Sequence, residues 1–347
     1  MESIHQNEGT AVAPALQPEP PAPVITTEEP TAPVDRAERI TAIDSLRGFA
    51  LLGILLMNIV AMGMNGASYD NPTVTGGATG INLAVWAGLH VLAEGKMRCL
   101  FSLVFGASVI LLTSRLEKRG SSADIYYRRT FWLMLFGIVH AYLLWFGDIL
   151  YPYALCGLLL YPFRKMSVKG LLIIGTVLLV IQAGAYIGMS FDQKDTIEKG
   201  RAAIAAEKSG ATLTDEQKKA KEKYEKFLKF AHPDAATLKK DIDRWRGNPL
   251  EVIKARAEIV GKWHSMPYYG PWNWDVWSMM FIGMALMKLG LLNATKPART
   301  YVLLAVIGLG IGIPVNSYSA WTVIKSNFDP VVQAMSHVTY DLGRLSV

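Results

Sequence analysis

Runs of apolar positions about twenty residues long, separated by short clusters of charge, recur along this chain from residue 43 onward. A helix needs about 20 mostly apolar residues to cross the ~30 Å core of a bilayer, so the runs predict membrane spans. They fall at 43–64, 97–114, 130–146, 149–163, 168–189, 272–292 and 301–318. An amphipathic piece at 81–93 leads into the second, and Pro152 and Pro162 keep the fourth short or kinked. An eighth begins near Val331 and stops at Val347 before it crosses, so the chain reads as interrupted there. The fold class is therefore all-α, a polytopic transmembrane helical bundle of about seven to eight spans.

The polar stretches divide the chain further. Residues 1–37, rich in Pro, Ala, Glu and Thr, form a tail with no core pattern, expected to be disordered and cytoplasmic. Residues 38–189 make an N-terminal bundle of about five spans, 190–270 an exported helical insertion, and 271–347 the C-terminal spans. Within the insertion, TLTDEQKKAKEKYEKFLKF places Gln217 three positions after Thr214, the spacing of a capping box. In LEVIKARAEIVGKW, the residues Val252, Ile253, Ile259, Val260 and Trp263 share one helical face. Such helices form a cap over the outer mouth, or a lid over substrate. Tyr268, Tyr269, Trp272, Trp274 and Trp277 follow as an aromatic belt where the chain re-enters the bilayer.

Charge sets the orientation. The chain carries a net charge of +6 with 51% hydrophobic residues and a mean hydropathy of +0.24, above the usual soluble range. Its basic residues lie between apolar runs rather than in a nucleic-acid-binding stripe. Arg36 and Arg39, then Arg115, Lys118, Arg119, Arg128 and Arg129, then Arg164, Lys165 and Lys169, then Lys288, Lys296 and Arg299 occupy alternate connections. The connections 65–80 and 147–148 hold no Lys or Arg. The positive-inside rule thus places the N-terminus in the cytoplasm and Asp148 at the outer surface. Lys96 and Arg98 go against this bias at the outer start of the second span, which marks them as residues with an anion to meet. Cys99 and Cys156 suggest neither a disulfide framework nor a metal site, but small buried apolar residues.

Ionisable and amide side chains inside apolar runs cost about 2.5–3.5 kcal/mol on insertion scales, so each needs a partner or a task. Arg47 either snorkels to lipid phosphates or anchors an anion. Asn58 either bonds a neighbouring helix or polarises a ligand. His140 and Asp148 are eight positions apart, about 80° around a continuous helix, and Gly147 is placed to break that helix. A carboxylate beside the imidazole orients it as a general base or proton relay; the alternative is a ring satisfied by backbone carbonyls. Tyr151 and Tyr153 flank the pair.

SLRGFALLGILLMNI (45–59), GKMRCLFSLVFGAS (95–108) and IVHAYLLWFGDILYPYALCG (138–157) resemble, in order and spacing, the recurring blocks of the YeiB-like family, bacterial proteins catalogued under domain of unknown function 418. The resemblance covers the chain from about Glu38 and implies a multi-pass protein of the bacterial inner membrane. It aligns His140, Gly147, Asp148 and Tyr153 with that family's histidine, Gly-Asp and tyrosine positions. The family is distantly similar to transmembrane acyltransferases, including acyltransferase family three and heparan-alpha-glucosaminide acetyltransferase. That likeness implies acyl-CoA as a co-substrate, no tightly bound cofactor, and an envelope glycan or lipid as acceptor. One departure stands out. Acyltransferase family three carries a histidine eleven positions after the arginine, and here that place is Asn58.

Three functions fit these residues. An acyltransferase-like enzyme uses His140 as base and Asp148 as its orienter, with Arg47, Asn58, Lys96, Arg98, Tyr151 and Tyr153 around the substrate. A transporter for a small anion or metabolite uses the same residues as a binding site or proton relay. A non-catalytic envelope scaffold uses them to hold helices together. No metal cluster, phosphate loop or nucleotide fingerprint is present in the sequence, and its partners are the lipid bilayer and an envelope substrate.

Overall fold

The computed structural model describes residues 41–120 and 123–347, apart from the side chains of residues 266–269 and 271. The expected tail at 1–37 and the side chains of Tyr268 and Tyr269 lie outside these residues. The described chain is helical, with no β-strand among the described residues. Helix α1 (Thr41–Gly63) is followed by two 3-10 turns (Gly66–Tyr69, Pro72–Thr75), α2 (Gly80–Leu92) and α3 (Lys96–Lys118). Then come α4 (Ala123–Val139), a π turn (His140–Leu144), α5 (Leu150–Leu160) and α6 (Val168–Lys208). Helices α7 (Asp215–Ala231), α8 (Ala235–Trp245) and α9 (Pro249–Trp263) precede α10 (Met266–Lys288) and α11 (Ala298–Lys325). Two short helices, α12 (Pro330–Ser336) and α13 (Tyr340–Ser346), follow.

Four helical stretches are long and apolar enough to cross a membrane: α1, the α2–α3 stretch Gly80–Lys118, α6 and α11. The remaining expected spans are shorter or more polar. Helices α4 and α5 have 17 and 11 residues, and α10 buries Asn273, Asp275 and Ser278. Helix α10 lies at the centre, packed between α3 and α6, while α4 pairs with α5 and α1 leans on α3. Val104, Leu171, Met280 and Met284 fill the middle of this core. Leu51, Leu52, Leu55, Leu56 and Ile59 on α1, and Val302, Leu303 and Ile307 on α11, face outward. An outward apolar face of this kind suits lipid rather than water.

The structure moves two expected boundaries. Helix α6 does not end near residue 189 but runs on to Lys208, 41 residues in all and ~62 Å at 1.5 Å per residue, about twice the bilayer core. The residues after Met189 are charged but good helix formers, with no proline to stop them. The insertion therefore starts as an extension of a membrane helix. At the other end, residues 330–346 form the short helices α12 and α13, and α13 packs against α11.

Helices α7 to α9 form a cap. Thr214 and Gln217 make the expected reciprocal capping box, and Asn248 and Glu251 make a second behind Pro249. Helix α8, absent from the pattern-based reading, is capped by Asp234, whose carboxylate accepts from the Thr237 N–H at 2.7 Å. The cap is tied to the bundle at several points. Asn65 donates to Asp241 at 2.6 Å, Arg201 of α6 donates to the Tyr224 hydroxyl of α7 at 3.3 Å, and Arg256 donates to the Leu143 carbonyl at the end of the π turn. Phe146 sits with its ring centroid 5.8 Å from those of Trp245 and Trp263. The bundle thus has a capped end and an opposite basic end.

One tie of the cap is sensitive to pH. Asn71 Oδ1 accepts from the Thr73 N–H and hydroxyl at 3.1 and 2.6 Å, so the Asn71 amide nitrogen is the donor to His232 Nδ1, at 3.0 Å. His232 must then be neutral, with its proton on Nε2. Burial holds this imidazole below the usual histidine range, against the pull of the Asp329 carboxylate and helped by the Arg201 guanidinium. The unfolded chain takes up a proton near pH 6.5 and the folded seam resists it, so this contribution is complete above that pH and is lost on acidification. Hydrogen exchange across residues 230–236, corrected for intrinsic rates, is expected to rise several-fold from about pH 7.5 to about pH 5.5. In His232→Gln that rise should disappear; unchanged protection in the wild-type protein would refute the assignment.

Candidate functional site

His140 opens the π turn, closed by a bond from the Trp145 N–H to the His140 carbonyl at 2.8 Å. Trp145 is then extended (φ −150°, ψ 121°), and the chain reverses into α5. This reversal, not helical register, brings the imidazole to the carboxylate. His140 Nδ1 lies 2.8 Å from Asp148 Oδ1. The other oxygen, Oδ2, accepts the Tyr151 N–H at 2.8 Å, at the start of α5, where an anion also meets the helix dipole. The Asp148 side chain is 1% exposed and that of His140 35%. With Nδ1–H held by the carboxylate, the neutral ring carries its lone pair on Nε2. That atom makes no hydrogen bond to the described residues. Tyr151 stacks on His264, from the α9–α10 junction, at 4.4 Å between centroids.

Beside this loop is a cleft of about 100 Å³, lined by Asn58 of α1, Tyr69 of the first 3-10 turn, Glu94, Arg98 of α3, and Gly147 and Ile149, the two neighbours of Asp148. Gly95, also on the cleft wall, has φ +70° and separates α2 from α3; a Cβ there would sit 2.3 Å from the Tyr340 hydroxyl oxygen. Only glycine meets both demands.

Behind the cleft lies a buried ion network that sequence reasoning missed. Arg98 Nη1 donates to Asp275 Oδ2, and the guanidinium stands 5.4 Å from the Trp272 ring centroid. Asp275 Oδ1 accepts from Arg344 Nη2 at 2.5 Å. Arg344 also donates through Nε to Asp341 at 2.7 Å, and Gln182 donates to Asp341 at 3.3 Å. Arg344 and Asp275 are each 1% exposed at the side chain, yet Arg344 Nη1 has no partner among the described residues. The Asp275 signal was visible as a carboxylate inside the apolar run WNWDVW. Arg344 gave none, because its stretch reads as an interrupted end.

The other expected site residues part company. Asn58 lines the cleft and makes no hydrogen bond to the described residues. Lys96 is buried, its ammonium donating to the His90 carbonyl at 2.9 Å. Tyr153 is fully buried away from His140, its hydroxyl 2.5 Å from Ser102 Oγ. Arg47 pairs with Asp44 at 3.2 Å and donates to Ser108 Oγ at 2.8 Å. Ser108 is ten residues along α3 from Arg98, ~15 Å, so Arg47 lies toward the basic end and outside the cleft. Trp272 and Trp277, expected in an interfacial belt, pack against the core instead.

The chain is 31% identical over 282 residues to the uncharacterized protein YeiB of Escherichia coli (strain K12), covering 80% of this chain and 63% of that protein. It is 34% identical over 168 residues to the uncharacterized protein YxaH of Bacillus subtilis (strain 168), covering 46% of this chain and 40% of that one. An uncharacterized 39.9 kDa protein in the amylase 3' region of Bacillus acidopullulyticus is 34% identical over 149 residues, 43% of this chain and 40% of its own length. The chain thus spans less than two thirds of the length of these relatives. No family model matches the chain. No solved structure matches it. The matches to relatives support a YeiB-like relationship for this membrane-associated helical protein.

Proposed function

We propose that this is a YeiB-like protein of the domain-of-unknown-function-418 group. In this reading it crosses the bacterial inner membrane about seven times with a cytoplasmic N-terminus, and transfers an acyl group to an envelope lipid or glycan. The capped end then faces away from the cytosol. One observation carries the reading: His140 Nδ1 is 2.8 Å from a buried carboxylate, which leaves Nε2 as a base. In the reaction Nε2 takes a proton from an acceptor hydroxyl or neutral amine, the acceptor oxygen or nitrogen bonds to the acyl carbon, and the C–S bond of the acyl-CoA donor breaks, the thiolate leaving with that proton. Asp148 orients the ring and stabilises the imidazolium. Arg98 and Asn58, in the adjoining cleft, hold the acceptor.

With labelled acetyl-CoA and envelope lipids, His140→Ala is expected to lower transfer by about 10²-fold or more while helicity and elution stay unchanged. No transfer by the wild-type protein, from either side of a proteoliposome, would end the enzymatic reading. The buried Arg98–Asp275–Arg344 network favours a second reading, a permease for a small anion or metabolite, since charges inside a membrane often mark a transport path. Uptake driven by a pH gradient and abolished by Asp148→Asn would select it.

A further inference from the structure

We infer that the cleft beside Arg98 holds the headgroup of an amine-bearing zwitterionic phospholipid that enters sideways from the bilayer. This deepens the proposed reading by naming the acceptor, and rests on that reading only for the later fate of the lipid. Size is the first constraint. A cleft of about 100 Å³ has room for a phosphate-sized polar group.

Chemistry narrows it. Three donors on the cleft wall have nothing to bond among the described residues: the Asn58 amide, the Tyr69 hydroxyl, and the Arg98 N–H groups other than Nη1. Converging donors that include a guanidinium suit a phosphate. Glu94 shares the wall, and only its Oε1 is engaged, by the Tyr340 hydroxyl at 3.1 Å. A carboxylate there opposes a purely anionic guest and suits an ammonium.

Location supplies the tail. The remaining wall is apolar, from Ile54, Met57 and Met97, and on the same helix as Ile54 and Met57 the side chains of Leu55, Leu56 and Ile59 face outward. Acyl chains can therefore lie along α1 while the headgroup turns inward, with nothing charged drawn through hydrocarbon.

Native mass spectrometry of the full chain, stripped of co-purified lipid, tests this with four probes: dioleoylphosphatidylethanolamine, dioleoylphosphatidylglycerol, dioleoylglycerol, and glycerophosphoethanolamine. The first should bind about tenfold tighter than the others. Glu94→Gln should erase the preference over phosphatidylglycerol, and Arg98→Gln should weaken both phospholipids. Asn58→Ala and Tyr69→Phe, which leave the ion pairs intact, should each weaken binding several-fold even if Arg98→Gln fails to fold. Equal affinity for the three lipids, or indifference to Asn58→Ala, Tyr69→Phe and Glu94→Gln, would overturn the site. Glycerophosphoethanolamine binding as tightly as the lipid would overturn the sideways entry. His140→Ala should bind lipid normally while losing transfer; lipid binding by a wild-type protein that transfers no acyl group would remove the enzyme and keep the site, and transfer without the predicted lipid preference would remove only the site.

Discussion

Gly283→Ala is expected to destabilise the bundle by roughly 3 kcal/mol or more, a large effect for one methyl group. Helices α3 and α10 cross here at backbone contact. A Cβ on Gly283 would lie 2.0 Å from the Leu103 carbonyl oxygen, and one on Gly106 would lie 2.0 Å from the Met280 carbonyl oxygen. The obstacle is main chain in both cases, so no side chain can swing aside and the helices must separate. Separation propagates, because α10 also packs on α6 and carries Asp275. In a membrane, where lipid is as apolar as the helix surface, close packing is much of what holds helices together. Thermal unfolding in detergent should show the loss. Gly184→Ala is the control: nothing lies within 4 Å of its added Cβ, so it should be neutral or stabilise by up to about 1 kcal/mol through helix propensity. A Gly283→Ala protein that melts with the wild type would show that the crossing is looser than described.

Asp275→Asn is expected to cost about 3–5 kcal/mol, because it leaves Arg98 and Arg344 buried against each other without their shared carboxylate. Asp341 remains on Arg344 at 2.6 Å but does not pair with Arg98. Undocking of α13 should come first, since Arg344 is the side chain that fixes it in the core, and a protease site introduced after α12 reads that step directly. The triple variant Arg98→Met, Asp275→Leu, Arg344→Met should recover most of the stability, because apolar replacement of a whole buried ion cluster is often neutral or better. Recovery of stability without recovery of lipid binding would separate the structural from the binding role of Arg98. If Asp275→Asn proves as stable as the wild type, the network is not what holds α13.

Much of the helical layout was legible in advance. Apolar runs located the core of each bundle helix, though α6 extends to Lys208, well past its apolar run, since crossing hydrocarbon demands a helix and a helix demands about 20 apolar residues. The capping box at Thr214 was visible for a similarly local reason: it depends on two residues three positions apart. His140 and Asp148 stood out as ionisable groups in an apolar stretch, though their contact runs through a π turn and a chain reversal that the 3.6-residue period does not encode. Tyr153 and Arg47 looked equivalent to their neighbours in sequence, yet one is pinned to Ser102 and the other bonds Ser108, ~15 Å along α3 from the cleft.

The sequence by itself determined that the bundle is helical, where its apolar runs lie, and which polar residues needed an explanation, because these follow from local composition and spacing. Only the tertiary structure decided which of those residues meet. Asp275 joins Arg98 to Arg344 across 69 positions of chain on one side and 177 on the other, and the length of α6 and the return of α13 set where the cleft lies. Contacts of that range depend on how closely helices can approach, which glycines such as Gly106 and Gly283 permit and no single segment records.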